Sequence, residues 1–598
     1  MSEVTSIDVV APITGTVVVV VAAGARVSAT DPVVVIESMK MEHAVEAGVS
    51  GVVVEVLAPH GVTVEAGQSL VRIDADGLGT TTEDDAHPER VATSSEIRTD
   101  LAEVRARHDR TLDEARPDAV RRRRDRGRRT ARENVADLLD EGSFVEYGAL
   151  AVAAQRRRRP IDDLIDRTPA DGLIGGTGTV DGFPVVVACY DDTVLAGTQG
   201  MLGHLKKDRL FALAADRGMP VVIFAEGGGG RPGDVDATGV SGLEVPAFEL
   251  FAQLGGKVPL VGIAAGYCFA GNAALLGMCD VVIATEDSHI GMGGPAMIEG
   301  GGLGAVAPTE IGPIGVQAAN GTVDVVASDE AHAVSIAKSA LALLMGTGLT
   351  GTPGVADAAD QSLLRDVVPE RRTRVYEVRR VIELLADTAS VIELRRGVAP
   401  GMVTSLARIG GRAVGVFAND PEHLGGAIDA AACDAAADFL ELCDTFSLPV
   451  VSLCDTPGFM VGAEAEREAT VRRAGRMFRV AANLSVPLVM VVLRKCYGLG
   501  AQAMGGGSLK APDLCVAWPT GEFGGMGLEG AVRLGFRKEL EAIDDPDERA
   551  RTEAEMIALA YERGSALNIA SHFEIDDVID PADTRRVIIA TLSGSVPG

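Results

Sequence analysis

Apolar residues alternate with small or polar residues, at a period of two, over the first 74 positions of the chain. The segment APITGTVVVVVAAGARVSATDPVVVIE is followed by a similar one, AGVSGVVVEVLAPHGVTVEAGQSLVRI. Gly15 matches Gly51 and Val27 matches Val64, at offsets of 36 and 37 residues. Valines alternating with polar residues between glycines are typical of short strands joined by turns. Residues 1–74 are therefore predicted to form a small all-β sandwich of two similar halves.

The pattern changes after Ile73, where DADGLGTTTEDDAHPERVATSSE contains almost no large apolar residue. A stretch rich in glycine, threonine, serine and acidic residues is typical of a flexible linker. Residues 75–97 are predicted to form this linker, which could extend to about 75 Å.

The rest of the chain repeats at a longer period. GTVDGFPVVV recurs as ARIGGRAVGV, GMPVVIFAEGGGGRPG as SLPVVSLCDTPGFMVG, and VPLVGIAAGYCFAGNA as VPLVMVVLRKCYGLGAQA, at offsets of 229, 229 and 228 residues. Short apolar segments followed by glycine loops and helical stretches are α/β patterning. The sequence thus predicts a multidomain chain with two tandem α/β domains, 98–365 and 366–598.

Composition restricts the function classes. The 598 residues carry a formal net charge of -30, which argues against a nucleic-acid partner and favours a cytoplasmic protein. The eight cysteines show no CxxC spacing, and no metal site is expected. The uncharged stretch from Val258 to Cys279 is long enough for a membrane helix, but its glycines and proline favour strand, turn and helix in a packed core. No membrane association is expected.

A lysine stands between two methionines at the join of the two β halves. Lys40, flanked by Met39 and Met41 in VVVIESMKMEHAVEAGV, would lie at a hairpin tip. Most such lysines are only solvated charges. This motif resembles the biotin attachment sequence of biotin carboxyl carrier domains more than that of lipoyl domains. The resemblance implies covalent biotin on Lys40, added by a biotin protein ligase.

Glycine-rich loops follow two strands of the first α/β domain. One contains Gly228 and Gly229, and the other is GYCFAG, which includes Ala270 and Gly271. Glycines let backbone N–H groups approach a ligand, and two such donors aimed at one point form an oxyanion hole. A single glycine loop is more often only a tight turn.

Several segments together make a specific family resemblance. GYCFAGNAALLG resembles an oxyanion segment of the crotonase superfamily. The doubled arrangement, with DDTVLAGTQG, FANDPEHLGGAID, DTPGFMVG, RKCYGLGAQAMGG and DLCVAWPTGEFGGMG, is similar to the carboxyltransferase (β) subunit of biotin-dependent acyl-CoA carboxylases. The similarity extends from about Thr130 to the C-terminus.

This family implies carboxyl transfer from carboxybiotin to the α-carbon, or a vinylogous position, of an acyl-CoA, as in acetyl- or propionyl-CoA carboxylases. The acyl-CoA enolate would be held by Gly228, Gly229, Ala270 and Gly271. The ureido oxygen of biotin would be held by Leu499 and Gly500 of the second domain. Biotin would act as the base, and neither loop carries a His/Asp/Glu pair.

Three positions depart from the family pattern. Ala270-Gly271-Asn272 stands where relatives have two glycines, and Glu226 replaces an aspartate before the glycine run. Gln502 occupies a position that helps to set acyl-chain size in relatives, so acyl preference stays open.

A basic cluster lies near the start of the first α/β domain. Arg121 to Arg132 holds eight arginines in twelve positions. Arginines bind phosphates well, so the cluster could contact coenzyme A, and a solvated helix face is an equal alternative. The segment from Ser95 to Arg124 is predicted to be one long helix interrupted near Pro117.

The expected partners follow from what the sequence contains. It shows no GxxxxGK[ST] phosphate loop or other ATP-binding region, so a separate ATP-dependent biotin carboxylase subunit is expected. The resemblance implies a homo-oligomer, with a dimer as the minimum and a hexamer expected. Two alternatives remain: a biotin-dependent decarboxylase or transcarboxylase acting on a carboxylated acyl-CoA, and a non-enzymatic biotin-bearing scaffold.

Overall fold

The structure is a computed structural model that describes residues 6–76, 97–231, 233–236, 242–346 and 357–594. The chain divides into two compact units, Met1–Ile97 and Arg98–Gly598. Most of the predicted linker, from 77 to 96, lies outside the described residues. The predicted boundary at 365/366 stays a prediction, because both α/β halves belong to the second unit.

The first unit is the predicted all-β sandwich. Its two sheets have the strand orders β1-β8-β6-β3 and β5-β4-β2-β7. The strands are β1 (Ser6–Val10), β2 (Gly15–Val20), β3 (Arg26–Val27), β4 (Pro32–Ser38), β5 (Met41–Glu46), β6 (Gly51–Val56), β7 (Thr63–Val64) and β8 (Ser69–Ala75). Buried valines and isoleucines of both sheets fill the space between them.

The two repeat glycines hold equivalent positions in this sandwich. Gly15 begins β2 and pairs with β7 of the other half, while Gly51 begins β6 and pairs with β3. A Cβ on Gly15 would lie 2.4 Å from the Glu37 carbonyl oxygen, and one on Gly51 would lie 2.1 Å from that of Asp74. Both contacts are too short for any side chain, which explains why glycine recurs in the repeat.

The second unit contains two similar α/β halves. The first has a seven-stranded sheet of order β17-β15-β13-β12-β11-β10-β9 and a small β14-β16 sheet. Its strands are β9 (Val145–Glu146), β10 (Leu173–Val180), β11 (Phe183–Tyr190), β12 (Val221–Phe224), β13 (Leu260–Ala264), β14 (Tyr267–Phe269), β15 (Val281–Thr285), β16 (His289–Gly291) and β17 (Val325–Ala327).

The second half repeats this order with β18-β19-β20-β21-β22-β23-β25, and β24 pairs with the end of β22. These strands are β18 (Ile392–Leu394), β19 (Met402–Ile409), β20 (Arg412–Asn419), β21 (Val450–Thr456), β22 (Leu488–Tyr497), β23 (Leu514–Ala517), β24 (Glu522–Gly524) and β25 (Asp577–Val578). Strands β11–β13 and β20–β22 are parallel, as the alternation of strands and helices predicts.

Helices cover the sheets of both halves. Those of the first half are α1 (Thr99–Asp109), α2 (Pro117–Arg124), α3 (Ala131–Leu138), α4 (Ile161–Arg167), α5 (Met201–Arg217), α6 (Ala247–Ala252), α7 (Gly271–Leu276), α8 (Pro295–Gly300), α9 (Ile314–Ala319) and α10 (Glu330–Leu344). Those of the second are α11 (Val378–Leu385), α12 (Ala430–Thr445), α13 (Ala463–Arg467), α14 (Thr470–Ala481), α15 (Gly498–Met504), α16 (Leu528–Gly535), α17 (Arg537–Glu541), α18 (Pro546–Arg563), α19 (Ala566–Ser571) and α20 (Thr584–Gly594).

One apolar core joins the two halves of the second unit. Helix α10 contacts β13 and β15 of its own half and also β19 and β20 of the other. Its buried alanines and leucines belong to the same cluster as Leu406 and Phe417 of the second sheet. The two sheets are therefore held together by burial of apolar surface on this helix.

Two local predictions can be compared with the structure. The uncharged stretch from Val258 to Cys279 forms β13, β14 and α7, which confirms strand, turn and helix, and no helix in the described ranges is long and apolar enough to cross a membrane. The helix predicted from Ser95 to Arg124 with an interruption near Pro117 is confirmed as two helices, with a longer break than expected. The chain leaves α1 after Asp109, and Pro117 begins α2, because proline suits the first position of a helix.

Candidate functional site

Lys40 lies at the tip of the β4–β5 hairpin. Ser38 pairs with Met41, so Met39 and Lys40 are the two central residues of a tight turn. Both have positive φ, 51° and 66°, as a type I′ turn requires. This turn favours asparagine or glycine, and residues with long side chains are strained in it.

The hairpin tip presents these side chains to solvent. Met39 is 96% exposed, and Met41 and Lys40 are also exposed. Within the described part of the chain, no carboxylate forms an ion pair with Lys40. An unpaired, projecting amine fits a group that joins to lysine through an amide bond, such as biotin.

The first half brings its two predicted glycine loops into contact. The loop after β12 contains Gly229, and the other loop ends β14 and begins α7 at Gly271. A Cβ on Gly229 would lie 2.6 Å from the Cβ of Ala270 and 3.5 Å from the Gly271 nitrogen. Gly229 has a φ of 83°, which glycine adopts without strain. The loops thus form one backbone-lined surface.

Only some of the four predicted amides are available to a ligand. The Gly228 N–H donates to the Ala196 carbonyl at 3.1 Å, and the Ala270 N–H donates to the Gly291 carbonyl at 2.9 Å. These two amides are used by the fold, a correction to the predicted set. The N–H groups of Gly229 and Gly271 have no hydrogen-bond partner among the described residues, so they are the donors that remain.

The second half builds the equivalent surface from the loop after β21 and the first turn of α15. A Cβ on Gly500 would lie 2.7 Å from the Gly458 Cα and 3.0 Å from the Phe459 nitrogen. Leu499 and Gly500 lie in the first turn of α15, where amides have no partner within the helix. The Gly458 N–H donates to Thr456 Oγ1 at 3.1 Å.

A buried carboxylate stands directly before each of these loops. Glu226 accepts hydrogen bonds from Arg123 at 2.8 Å and from Arg128 at 2.8 Å. Asp455 accepts from the Tyr376 hydroxyl at 2.9 Å and from Arg494 at 3.2 Å. Both carboxylates are fully engaged with protein groups, and neither is placed to act as a free base.

The basic cluster has a structural role at its centre. Arg123, whose side chain is 4% exposed, also contacts Glu330 of α10 at 3.0 Å. Burial opposes its charge, but the surrounding carboxylates raise its pKa. Arg121 and Arg124 are exposed on α2. Neither coenzyme A binding nor a solvated face, the two alternatives from the sequence, includes this internal ion-pair network of Arg123 with Asp192, Glu226 and Glu330, all of which lie far from it in the sequence.

Gln502 lies on the exposed side of α15, next to a cavity of about 530 Å³. The cavity is also lined by Leu509, Lys510, Ile569 and Phe573. The lining is mixed, because Ser508 and Glu574 also contribute to it, and the Lys510 ammonium lies 3.5 Å from the centre of the Phe573 ring.

Two groups of residues near the loops did not emerge from the sequence. Phe459 faces α15 through its backbone, and the alignment of DTPGFMVG with the first glycine run was the signal that could have identified it. Gln199 and Lys207 lie behind the first loop. The segment DDTVLAGTQG was the signal that could have identified Gln199, whereas nothing in the sequence distinguishes Lys207 from surface lysines.

Comparison with known proteins agrees with this geometry. The model of the carboxyl transferase domain family matches residues 122–596, and the model of the biotin-requiring enzyme family matches residues 7–73. The methylmalonyl-CoA carboxyltransferase 12S subunit of Propionibacterium freudenreichii subsp. shermanii is 36% identical over 481 residues, which cover 79% of this chain and 90% of that protein.

Two solved structures are similar to the chain. A single-chain, multi-domain long-chain acyl-CoA carboxylase is 53% identical with a TM-score of 0.79, and the match covers 99% of this chain but 56% of that longer protein. The transcarboxylase 12S hexamer, solved with methylmalonyl-CoA and methylmalonic acid bound, is 33% identical with a TM-score of 0.72, covering 83% of this chain and 95% of the other. The chain therefore belongs to the carboxyl transferase family and joins its catalytic domain to a biotin-requiring domain, which indicates covalently attached biotin.

Proposed function

We propose that the chain is the carboxyltransferase and biotin carrier component of an acyl-CoA carboxylase. It moves a carboxyl group between biotin on Lys40 and the α-carbon of an acyl-CoA. The observation that carries the proposal is the pair of equivalent loop-and-helix surfaces, one in each half, joined in one chain to a biotin-requiring domain. Biotin, when attached, supplies a ureido group that carries the carboxyl group and removes the α-proton.

The first surface suits the acyl-CoA. Removing an α-proton from a thioester places negative charge on the carbonyl oxygen, and backbone N–H donors stabilise that charge. Among the four predicted amides, those of Gly229 and Gly271 have no hydrogen-bond partner in the described part of the chain. A missing donor of this kind lowers the rate by about 10²–10³.

The second surface suits the ureido oxygen of biotin. The Leu499 and Gly500 amides are in the first turn of α15, and the Phe459 backbone nitrogen lies beside Gly500. The neighbouring Asp455 is held by Tyr376 and Arg494 and leaves the proton transfer to the ureido group.

The cavity beside Gln502 suits the acyl chain. Leu509, Ile569 and Phe573 give one part of its mixed lining an apolar surface, against which the methylene groups of an acyl chain could pack. We therefore propose a medium or long acyl-CoA as substrate, in keeping with the long-chain carboxylase that shares 53% identity with this chain.

Association of the chain with itself is supported by exposed apolar side chains in both halves. Leu499 and Val461 are exposed in the second half, and Met292 and Leu243 in the first. Apolar patches of this kind mark interaction sites. We propose that the first half of one protomer faces the second half of another in a dimer, and that dimers assemble into a hexamer, as in transcarboxylase 12S.

Two other partners complete the reaction. A separate ATP-dependent biotin carboxylase would load the carboxyl group, and a biotin protein ligase would modify Lys40. We place the chain in the cytoplasm, where both partners and acyl-CoA would be available.

The first experiment tests the carrier and the transferase together. The chain is co-expressed with a biotin ligase, and peptide mass spectrometry locates the biotin, with K40R as the unmodified control. Carboxyl-labelled methylmalonyl-CoA is then added without ATP. Transfer of label to the protein supports the proposal. If fully biotinylated protein accepts no label from either short or long carboxylated acyl-CoAs, the proposal is contradicted.

A second experiment tests the second surface. Gly500→Pro removes one N–H donor from the first turn of α15, but it also places a Cβ 2.7 Å from the Gly458 Cα. Gly500→Ala, which adds the same Cβ and keeps the N–H, is therefore the matched control. Loss of transfer by folded G500P but not by G500A supports the assignment, and retained transfer by G500P, or an equal loss in both variants, rejects it. ATP-dependent carboxylation in the presence of a carboxylase partner separates this function from a decarboxylase or transcarboxylase, which would need no ATP.

A further inference from the structure

A chain of buried polar side chains runs behind the first glycine loop. Lys207 of α5 is fully buried, and its Nζ donates to Gln199 Oε1 at 2.9 Å. Gln199 Nε2 donates to Asn272 Oδ1 of α7 at 3.0 Å. Asn272 Nδ2 donates in turn to the carbonyls of Gly197 at 3.3 Å and Glu226 at 3.2 Å.

The two ends of the chain agree on its direction. The carbonyls of Gly197 and Glu226 can only accept, so Asn272 turns its NH₂ toward them and its oxygen toward Gln199. Gln199 then turns its NH₂ toward Asn272 and its oxygen toward Lys207, whose amino group donates to it. One hydrogen-bonding arrangement is therefore selected for both amide side chains.

Gln199 connects this chain to both parts of the first surface. Its backbone N–H donates to the Gly229 carbonyl at 2.6 Å, and its carbonyl accepts from the Arg231 N–H at 3.0 Å. Its side chain lies behind α7, where a Cβ on Gly271 would be 3.1 Å from Nε2. The orientation of this one side chain thus affects the spacing between the Gly229 and Gly271 amides.

The second half folds without such a chain. By the offset of 228–229 residues, Gln199, Lys207 and Asn272 correspond to Ile428, Ala436 and Gly500. The correspondence is structural too, because Gln199 bridges to Gly230 as Ile428 bridges to Phe459. A buried, charged lysine destabilises a protein unless it is compensated, and its apolar counterparts show that the fold does not require it.

The surroundings of Lys207 give little compensation. It forms no ion pair within 4.0 Å among the described residues, and its Nζ lies 5.6 Å from the ring centres of both Tyr190 and Phe248. Burial lowers its pKa to about 7. Lys207 is thus a destabilising side chain that only the first half contains. Because the second half builds the corresponding loop with apolar residues, we infer that Lys207 has a role outside folding.

We propose that Lys207 is a positioning residue for acyl-CoA chemistry: through Gln199 and Asn272 it fixes the Gly229 and Gly271 amides at the spacing that the enolate oxygen needs. The proposal rests on the proposed function, which assigns the acyl-CoA to the first half. Lys207 does not touch the substrate. Its loss should affect the transition state more than substrate binding, because coenzyme A and the acyl chain make the remaining contacts.

The test measures transfer of the carboxyl label from methylmalonyl-CoA to biotin in the full, biotinylated chain. Lys207→Met keeps the length of the side chain and removes its donors. We expect the rate at saturating acyl-CoA to fall by about 10- to 100-fold, less than or equal to the loss of a direct donor. The acyl-CoA concentration for half-maximal rate should change by less than about threefold.

Two variants act as controls. Lys206, the adjacent lysine, is also buried, but its Nζ donates to the Ala170 carbonyl at 3.1 Å, away from the loop. K206M should lower thermal stability without a comparable loss of rate per folded enzyme. K207Q keeps a hydrogen-bond donor without the charge, and we expect it to recover most of the rate.

The outcomes separate the two proposals. If K207M transfers at the wild-type rate, or if K206M loses as much rate as K207M, the role of Lys207 is rejected while the proposed function stands. If the wild type itself transfers no label from methylmalonyl-CoA or from long carboxylated acyl-CoAs, both are rejected. Should K207M fail to fold, the variant Q199I/K207A/N272G, which carries the residues of the second half, replaces it, and full activity of that variant rejects the role.

Discussion

Ala270 carries a conformation that glycine would adopt more easily. It has φ 52° and ψ −121° at the start of α7. This conformation is held from both sides, since its N–H donates to the Gly291 carbonyl and its own carbonyl accepts from the Ala274 N–H at 2.8 Å. A residue other than glycine in such a region is destabilised by about 1–3 kcal/mol. We therefore expect Ala270→Gly to stabilise the second unit.

The net gain can be estimated from opposing effects. Glycine removes the strain of about 1–3 kcal/mol but increases the conformational entropy of the unfolded chain, which costs about 0.4–1 kcal/mol. The remainder is about 1 kcal/mol. Because the temperature shift per kcal/mol falls with chain length, a unit of this size should gain about 1–2 °C in midpoint.

The assay is thermal unfolding at one fixed scan rate, with Ala469→Gly as the matched control. Ala469 also has positive φ, 57°, but its ψ of 38° lies in the left-handed helical region, where alanine is less strained. The control should therefore shift the midpoint by less than A270G does. A lower midpoint for A270G, or equal gains in both variants, would refute the strain argument.

Three further predictions follow from buried or cavity-lining side chains. Arg123→Met leaves Glu226 without its main partner and should lower the free energy of unfolding by about 3–5 kcal/mol, seen as a lower melting midpoint. Arg121→Met, on the exposed face of α2, should change the midpoint little, and equal shifts of the midpoint in both variants would contradict this. Burial lowers the pKa of Lys207 from 10.5 to about 7, so between these values the unfolded chain keeps a proton that the folded chain releases. The stability of the wild type should therefore rise relative to that of K207M by about 1.4 kcal/mol per pH unit between pH 7 and 10. Parallel stability profiles of the two proteins would argue against a lowered pKa of Lys207. Gln502→Trp should fill the cavity beside α15 and reduce kcat/KM for long acyl-CoAs by about tenfold relative to propionyl-CoA, and an unchanged ratio would place the acyl chain elsewhere.

The sequence predicts the elements of this fold well where the pattern is local. Alternating valines predict the sandwich, and the repeat glycines Gly15 and Gly51 match because both meet a carbonyl of the neighbouring strand. The constant offset predicts two similar halves. In each of these cases the signal depends on neighbouring residues or on exact repetition, both of which are visible in one dimension.

The details of the site depend on contacts that no local pattern contains. Gly228 and Gly229 cannot be distinguished in the sequence. In the structure the Gly228 N–H donates to the Ala196 carbonyl, whereas the Gly229 N–H has no partner among the described residues. Arg123 cannot be distinguished from its arginine neighbours until Glu226 and Glu330 are placed around it. Helical periodicity does not single out Lys207 either, since lysines on a helix are usually exposed.

Some buried polar groups beside the loops occur in both halves, and one occurs in the first half only. Each half has a buried carboxylate before its loop, Glu226 or Asp455, and neutralises it with an arginine from a different element, Arg123 of α2 or Arg494 of β22. A buried carboxylate paired with an arginine thus precedes the loop in both halves, although the arginines come from different elements. This ion pair is therefore a requirement of the loop itself. Lys207 has no such counterpart, so it is not required by the loop. The halves therefore differ in the buried chain of Lys207, Gln199 and Asn272 behind the first loop. Under the proposed function the two surfaces bind different anions, an enolate and a ureido group, and different support behind the two loops would suit that difference.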